Sequence, residues 1–272
     1  MRVLRARRVL TEQEGLDLWT GEPAEATPNI TSAAEPTLVL DENDDPLMVV
    51  ARMTSKDRAA LRRAVMVLPQ NIVPRAASGG ASSRSAMVGW LRPNAMLGRN
   101  YCAPAVGARK TPAAHLAAVN AAGPCADLMA TILPERTDQH RDLVSIIDAG
   151  YLLPGGLWTS GIVNYTAPYF YHRDRNNVPG TWSAMPVLRR GTRGGHLAFP
   201  EYEIDGQIAV AACADGDVLL FEGQRIIHGV TPITIIEPDG YRITTVYYAV
   251  DALRHCPPCD EQLAVSRVKH TH

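Results

Sequence analysis

The sequence predicts an α+β fold in which N-terminal helices support an antiparallel β-sandwich or jelly roll. Three observations predict it. From residue 161 to the 240s, short β-type runs recur at close spacing: GIVNY, WSAMPVL, GHLAF, IAVAA, DVLLF, IIHGV and YRITTVYYAV, separated by Gly, Pro and Asp turns. Upstream, between residues 54 and 150, helix-start signals precede Ala- and Leu-containing segments. Finally, 46% of the 272 residues are hydrophobic, enough for a substantial core.

Taken in order, residues 1–35 end in GEPAEATPNITSAAEP, whose Pro, Ala, Thr and Ser content suggests an irregular arm. TLVL (37–40) and LMVVARM (47–53) flank the acidic turn DENDDP and read as a hairpin. Thr54 with Asp57 resembles a capping box opening a helix through about Leu68. ASGGASSRSA (77–86) reads as a flexible loop. Thr111 and Pro112 are expected to be the N-cap and first residue of a helix over AAHLAAVNAA, and Thr137 the cap of DQHRDLVSII. Gly123-Pro124 and Gly150 punctuate this helical part. The expected organisation is an arm at 1–35, one domain at 36–255 (helical support 54–150, β core 160–250) and a tail at 256–272.

Charge excludes little and favours no partner: 27 basic residues stand against 28 acidic ones. No apolar run approaches the length of a membrane span, and no apolar segment follows the basic N-terminus, so a cytoplasmic protein is expected; a monomer is the default expectation, since no motif reports oligomeric state. Five scattered cysteines argue against a secreted disulfide framework. His255-Cys256-Pro257-Pro258-Cys259 offers half of a zinc site, with His270 or His272 to complete it.

The chemistry concentrates in YFYHRDRNN. His172 and Asp174 are two residues apart, so on extended chain both side chains leave one face and can bite one metal. His228, in IIHGVTP, supplies a third ligand, and Gly229 beside it lets backbone approach closely. Two histidines and a carboxylate with open positions opposite are the ligand set of non-haem Fe(II) oxygenases. His196, beside a glycine pair, is better explained by packing.

Arg242 follows in YRITTVYYAV. Strand periodicity puts Arg242, Thr244, Val246 and Tyr248 on one face. A guanidinium inside an apolar sandwich is costly without an anion. A dicarboxylate such as 2-oxoglutarate meets that need, chelating iron at its keto-acid end and taking Arg242 and the Thr244 hydroxyl at the other. Asn164 and Tyr165 precede the metal loop; Asn164 is a candidate for the cosubstrate pocket and Tyr165 for the core.

Together these residues resemble the double-stranded β-helix 2-oxoglutarate dioxygenases, and among them the TET/JBP family of DNA 5-methylpyrimidine hydroxylases. HRDRNN (172–177) looks like the family's HRDxxN segment, HGVTP (228–232) is similar to its distal histidine segment, and RITTVYY (242–248) resembles the TET pattern R-I-S-x-V-F-Y. The likeness spans 161–250, with a weaker echo at 37–68. It implies Fe(II), 2-oxoglutarate and O2 as cofactor and cosubstrates, and a DNA base flipped into the pocket. It further implies that Asn177 bonds the polar edge of the base, that Tyr248 packs on its ring and that Val246 shapes the methyl pocket. Thr244 stands where TET enzymes carry serine. The cysteine-rich region and long insert of animal TET enzymes are missing, as in the compact microbial and phage members.

Hydroxylation of 5-methylcytosine is therefore the leading expectation. Thymine, the JBP-type substrate, remains open, as does a protein or small-molecule substrate. A noncatalytic DNA-binding module is disfavoured by the intact triad. Arg175, with Arg173, Arg189, Arg190 and Arg193 in neighbouring loops, is a candidate for DNA phosphates, and Arg2, Arg5, Arg7 and Arg8 are weaker candidates.

Overall fold

A computed structural model describes residues 1–18, 21–32, 35–74 and 82–269. Its centre is a ten-stranded sheet in the order Arg2–Arg5, Thr37–Leu40, Pro46–Arg52, Asp217–Phe221, Ser183–Arg190, Tyr241–Tyr248, Ser160–Tyr165, Ser82–Leu91 and Asn71–Pro74, with Ala103–Pro104 pairing off the path. A smaller sheet joins Gln207–Ala211, Leu197–Ile204 and Gly229–Val230, with Arg7–Arg8 added to the Leu197–Ile204 strand. The two sheets and the helices form the expected α+β jelly roll.

The central strands are apolar on both faces because each face meets a different layer. In Pro46–Arg52, Val49 and Ala51 pack toward the helices while Met48 and Val50 pack between the sheets. Asp217–Phe221 alternates likewise, with Val218 and Leu220 on the helix side and Leu219 and Phe221 inside the sandwich. In Tyr241–Tyr248, Ile243 and Tyr247 join the helix-side core, where Tyr247 stacks on Trp158. That leaves Arg242, Thr244 and Val246 facing the interior of the sandwich.

The hairpin and the helix it leads into form as expected. Thr37–Leu40 pairs antiparallel with Pro46–Arg52, and Thr54 caps the Ser55–Val65 helix by accepting from Asp57 N at 3.1 Å. Three local expectations are corrected. The expected arm is stitched into both sheets: Arg2–Arg5 runs parallel to Thr37–Leu40, and Ile30 is fully buried and bridged to Ala211. The expected 77–86 loop becomes strand from Ser82 onward, with Ser83 and Ser85 buried and Arg84–Gly89 paired with Ser160–Tyr165; residues 77–81 lie outside the described residues. Thr111 and Pro112 do take the expected N-cap and first helical positions, without a side-chain cap bond from Thr111. The helix assigned to Thr137 starts at Pro134, and the Thr137 hydroxyl bonds Leu133 O at 2.8 Å from within it.

His140, fully buried on that helix, holds it to the core: its Nε2 bonds Leu157 O at 2.7 Å and its Nδ1 accepts from Trp182 N at 3.2 Å. Burial drives its pKa down to about 4, so the folded chain keeps it neutral. Because the unfolded chain takes up the proton at a higher pH, near the ordinary value of about 6.5, stability should fall as pH drops from there toward 4. Thermal unfolding of wild type and His140→Gln across that range checks this; the variant should lose part of the acid sensitivity.

Candidate metal centre and adjoining cavity

The loop between Ser160–Tyr165 and Ser183–Arg190 carries His172 and Asp174. It is fixed against the segment before Gly229–Val230 by a backbone bridge, His172 N to His228 O at 2.9 Å and His228 N to His172 O at 3.0 Å. Asp174 N bonds Gly223 O at 2.9 Å, docking the carboxylate beside the pair. One ligating atom each from His172, Asp174 and His228 lies within 4.8 Å of the others. Among the described residues this is the one such group of three or more.

Both imidazoles are oriented by main chain. His172 Nδ1 contacts Phe170 O at 2.7 Å and His228 Nδ1 contacts Ile226 O at 2.9 Å, which assigns the proton to Nδ1 and leaves both Nε2 lone pairs free. Burial, and then the neighbouring His172, hold the pKa of His228 down to about 4, so it is neutral, the form that ligates. Two imidazoles and a carboxylate with open positions suit a ferrous ion.

The backbone makes room for this set. A Cβ at Gly223 would fall 2.5 Å from Asp174 Oδ2, so any other residue displaces the carboxylate. Gly223→Ala should weaken Fe(II) binding about 10–100-fold, the range for lost ligand support, which titration under anaerobic conditions would measure. The bare Cα of Gly229 accommodates Pro23 and Tyr171, each within 3 Å of where a Cβ would stand, and the Tyr169 carbonyl oxygen at 3.2 Å.

Sequence reasoning missed Glu201. It is buried in the Leu197–Ile204 strand, accepts from Ile227 N at 2.7 Å next to His228, and takes Arg173 at 3.2 Å and Arg8 at 2.8 Å. One carboxylate thus fastens the His172 loop, the His228 segment and the N-terminus together.

A cavity of about 530 Å³ opens beside the triad, lined by Asn177, Thr244, Val246, Tyr248, Asn164 and Phe221 among others. Asn177 is buried, with its Nδ2 on Ser183 Oγ at 3.2 Å. Asn164 accepts from Tyr169 OH at 2.8 Å, whereas Tyr165 sends its hydroxyl to Val65 O and belongs to the core.

Arg242 does not line that cavity. It sits two residues from Thr244 on the same face, 1% exposed, with Nε donating to Gly195 O at 2.6 Å and Nη2 at 3.7 Å from Cys213 Sγ. A Cβ at Gly195 would strike its Cδ at 2.6 Å, and Gly195 holds a φ of +66°, so this glycine is the slot in which the arginine lies. Among the described residues no carboxylate pairs with Arg242. Its charge is felt nearby: burial, then Arg189 and Arg242, lower His196 to about 4. His196 is not a ligand; its Nδ1 accepts from Cys213 N at 3.4 Å.

The expected basic surface is largely neutralised. Arg173 meets Glu201, Arg190 meets Glu237 and Asp239, and Arg189 turns inward to Cys213 O and Thr192 O. Arg5, Arg7 and Arg8 pair with Asp44, Glu203 and Glu201. Arg175 and Arg193 are exposed, and neither lines the cavity. Arg92 and Arg99, not singled out from the sequence, do. The half zinc site is also corrected: Cys256 is disulfide-bonded to Cys102, and His270 and His272 lie outside the described residues. No helix among the described residues is long and apolar enough to cross a membrane.

Against solved structures, the fold matches NgTET1, captured in complex with 5mC DNA, with a TM-score of 0.59 at 17% identity over 96% of this chain and 99% of that one. This chain has the NgTET1 fold. More distant likenesses to it are a 2OG-Fe(II) oxygenase family oxidoreductase from Burkholderia pseudomallei (14% identity, 78% of this chain and 87% of that one, TM-score 0.47) and a prolyl hydroxylase from Trichoplax adhaerens bound to a hypoxia inducible factor peptide (12%, 76% and 86%, 0.43). No protein-family model matches the sequence, and no curated protein matches it. The jelly roll shared with NgTET1 brings the separated His172 loop and His228 segment to one mouth between the sheets.

Proposed function

We propose that the protein is an Fe(II)- and 2-oxoglutarate-dependent dioxygenase that hydroxylates the 5-methyl group of 5-methylcytosine in DNA. The observation that carries this reading is the meeting of His172, Asp174 and His228 at a cavity lined by Thr244, behind which lies a buried Arg242 with no carboxylate partner among the described residues. When bound, the ferrous ion would activate O2, the oxidant, with two of its four electrons coming from 2-oxoglutarate, which leaves as succinate and CO2, and two from the substrate C–H bond.

The chain's own residues hold and exclude. His172 and His228 offer Nε2 because their Nδ1 protons are committed to carbonyls. Arg242 provides the cationic end for the distal carboxylate, and Thr244, which does reach the cavity, provides a hydroxyl on the way. Phe221, Leu197 and Val230 keep water from the metal side of the cavity.

A cavity of about 530 Å³ is ample for a flipped pyrimidine. Extruding the base costs a few kcal/mol, and packing against Tyr248 offsets about 1–3 kcal/mol of it. Asn177 is the edge reader in this scheme, with Val246 against the methyl group and Arg175 outside the cavity toward the backbone. The NgTET1–DNA complex supports DNA as the substrate class.

The test is mass spectrometry of nucleosides from methylated and unmethylated DNA after incubation with protein, Fe(II), ascorbate and 2-oxoglutarate. Hydroxymethylcytosine from methylated DNA alone is expected. Hydroxymethyluracil would shift the substrate to thymine. Succinate formation that ignores DNA would point to a protein or small-molecule hydroxylase.

A further inference from the structure

Residues 92–102 divide two cavities. The chain leaves the Ser82–Leu91 strand, turns through the Ala95–Leu97 3-10 helix and returns as Ala103–Pro104. On one side Arg92, Asn94, Leu97 and Arg99 line the metal cavity. On the other, Arg92, Asn100 and Tyr101 face His255, Cys256 and Gln262 across a second cavity, also about 530 Å³. Arg92 belongs to both, and the Cys102–Cys256 disulfide fixes the end of the divider to the far wall.

The divider carries the charge that the other arginines have lost to carboxylates. Among the described residues neither Arg92 nor Arg99 has an acidic partner. Arg99 Nη2 bonds Arg92 O at 2.6 Å, and its Nε is buried without a hydrogen-bond partner. Gln262, 7% exposed, gives its Oε1 to Cys102 N at 2.8 Å, while its Nε2 has no partner among the described residues. At the tip Met96 is 97% and Leu97 72% exposed, two apolar side chains in water beside unpaired cations. An occupant with flat apolar faces and a polyanionic backbone satisfies all of these at once.

We propose that the second cavity is a subsite for the nucleotide next to the target base. Its base stacks on Tyr101, its edge accepts from Gln262 Nε2, and its phosphate crosses the divider at Arg92. This rests on the reading of DNA as substrate. The divider then parts two neighbouring bases, with the target on the iron side and its neighbour on the disulfide side.

A binding cycle tests it. Fluorescence anisotropy is measured for wild type and Tyr101→Ala on a short methylated duplex, intact or with an abasic site replacing the neighbouring nucleotide on either side. In wild type, removing the correct neighbour should weaken binding about tenfold; Tyr101→Ala should cost about the same, and the two together no more than one alone. Tyr101→Phe should restore the loss, which separates stacking from misfolding. Arg92→Gln should lower the slope of log Kd against log salt by about one. Losses that simply add, or an abasic neighbour without effect on either side, overturn the subsite even if the wild type hydroxylates the duplex. A wild type that neither binds nor oxidises methylated DNA removes the substrate reading and the subsite with it.

Discussion

Asp174→Ala is expected to reduce 2-oxoglutarate turnover to background, a loss of about a thousandfold or more, because the only carboxylate in the triad supplies the anionic ligand. The fold should survive the change. The hydrogen bonds of Asp174 run through main chain, with its N–H on Gly223 O and its carbonyl accepting from Asn177 N, and alanine keeps both; its carboxylate approaches His172 Nε2 only at 3.8 Å. Its side chain is 28% exposed, so no buried group loses a partner that water cannot replace. Turnover measured as succinate, alongside the thermal midpoint of the metal-free protein, separates the two effects. Retained turnover without added carboxylate would mean that another residue completes the ligand set.

Arg242→Ala should act on the cosubstrate instead. The guanidinium is buried, lies in the slot made by Gly195 and has no acidic partner among the described residues. Removing one member of a buried charge pair costs about 2–5 kcal/mol, so the 2-oxoglutarate requirement should rise by two orders of magnitude or so while Fe(II) affinity changes little. Arg242→Lys should recover only part of the loss, since a point charge does not reproduce the guanidinium fork. Because Arg242 stands behind Thr244 and not on the cavity wall, this variant also tests whether the distal carboxylate reaches past Thr244. An unchanged cosubstrate requirement would assign that carboxylate to a different residue.

The parts legible in the sequence are those set by local pattern. Turn residues and apolar runs delimit the strands from 161 onward, and Thr54 with Asp57 marks a helix start that the hydroxyl does cap. The HxD spacing and the period of the Arg242 strand point to His172, Asp174, Thr244, Val246 and Tyr248, all of which line the cavity, and to Arg242, which stands behind it. What escaped depends on partners far along the chain. Ser82–Leu91 is polar enough to look like a loop and becomes strand because Ser160–Tyr165 pairs with it. The N-terminal arginines and Arg173 looked free for phosphates, but Asp44, Glu203 and Glu201 reach them only in the folded chain. Cys102 and Cys256 are 154 residues apart, a pairing that spacing does not reveal. The helix assigned to Thr137 starts earlier, at Pro134, whose ring suits the first helical position, with Leu133 at the N-cap.

The most direct measurement is anaerobic calorimetric titration of Fe(II), followed by 2-oxoglutarate, into wild type, His228→Ala and Arg242→Ala. One ferrous ion per chain, 2-oxoglutarate binding only after the metal, loss of both in His228→Ala and loss of the second alone in Arg242→Ala are expected. Full ferrous binding in His228→Ala, or 2-oxoglutarate binding of equal strength in metal-free protein, would contradict a shared centre built from His172, Asp174 and His228.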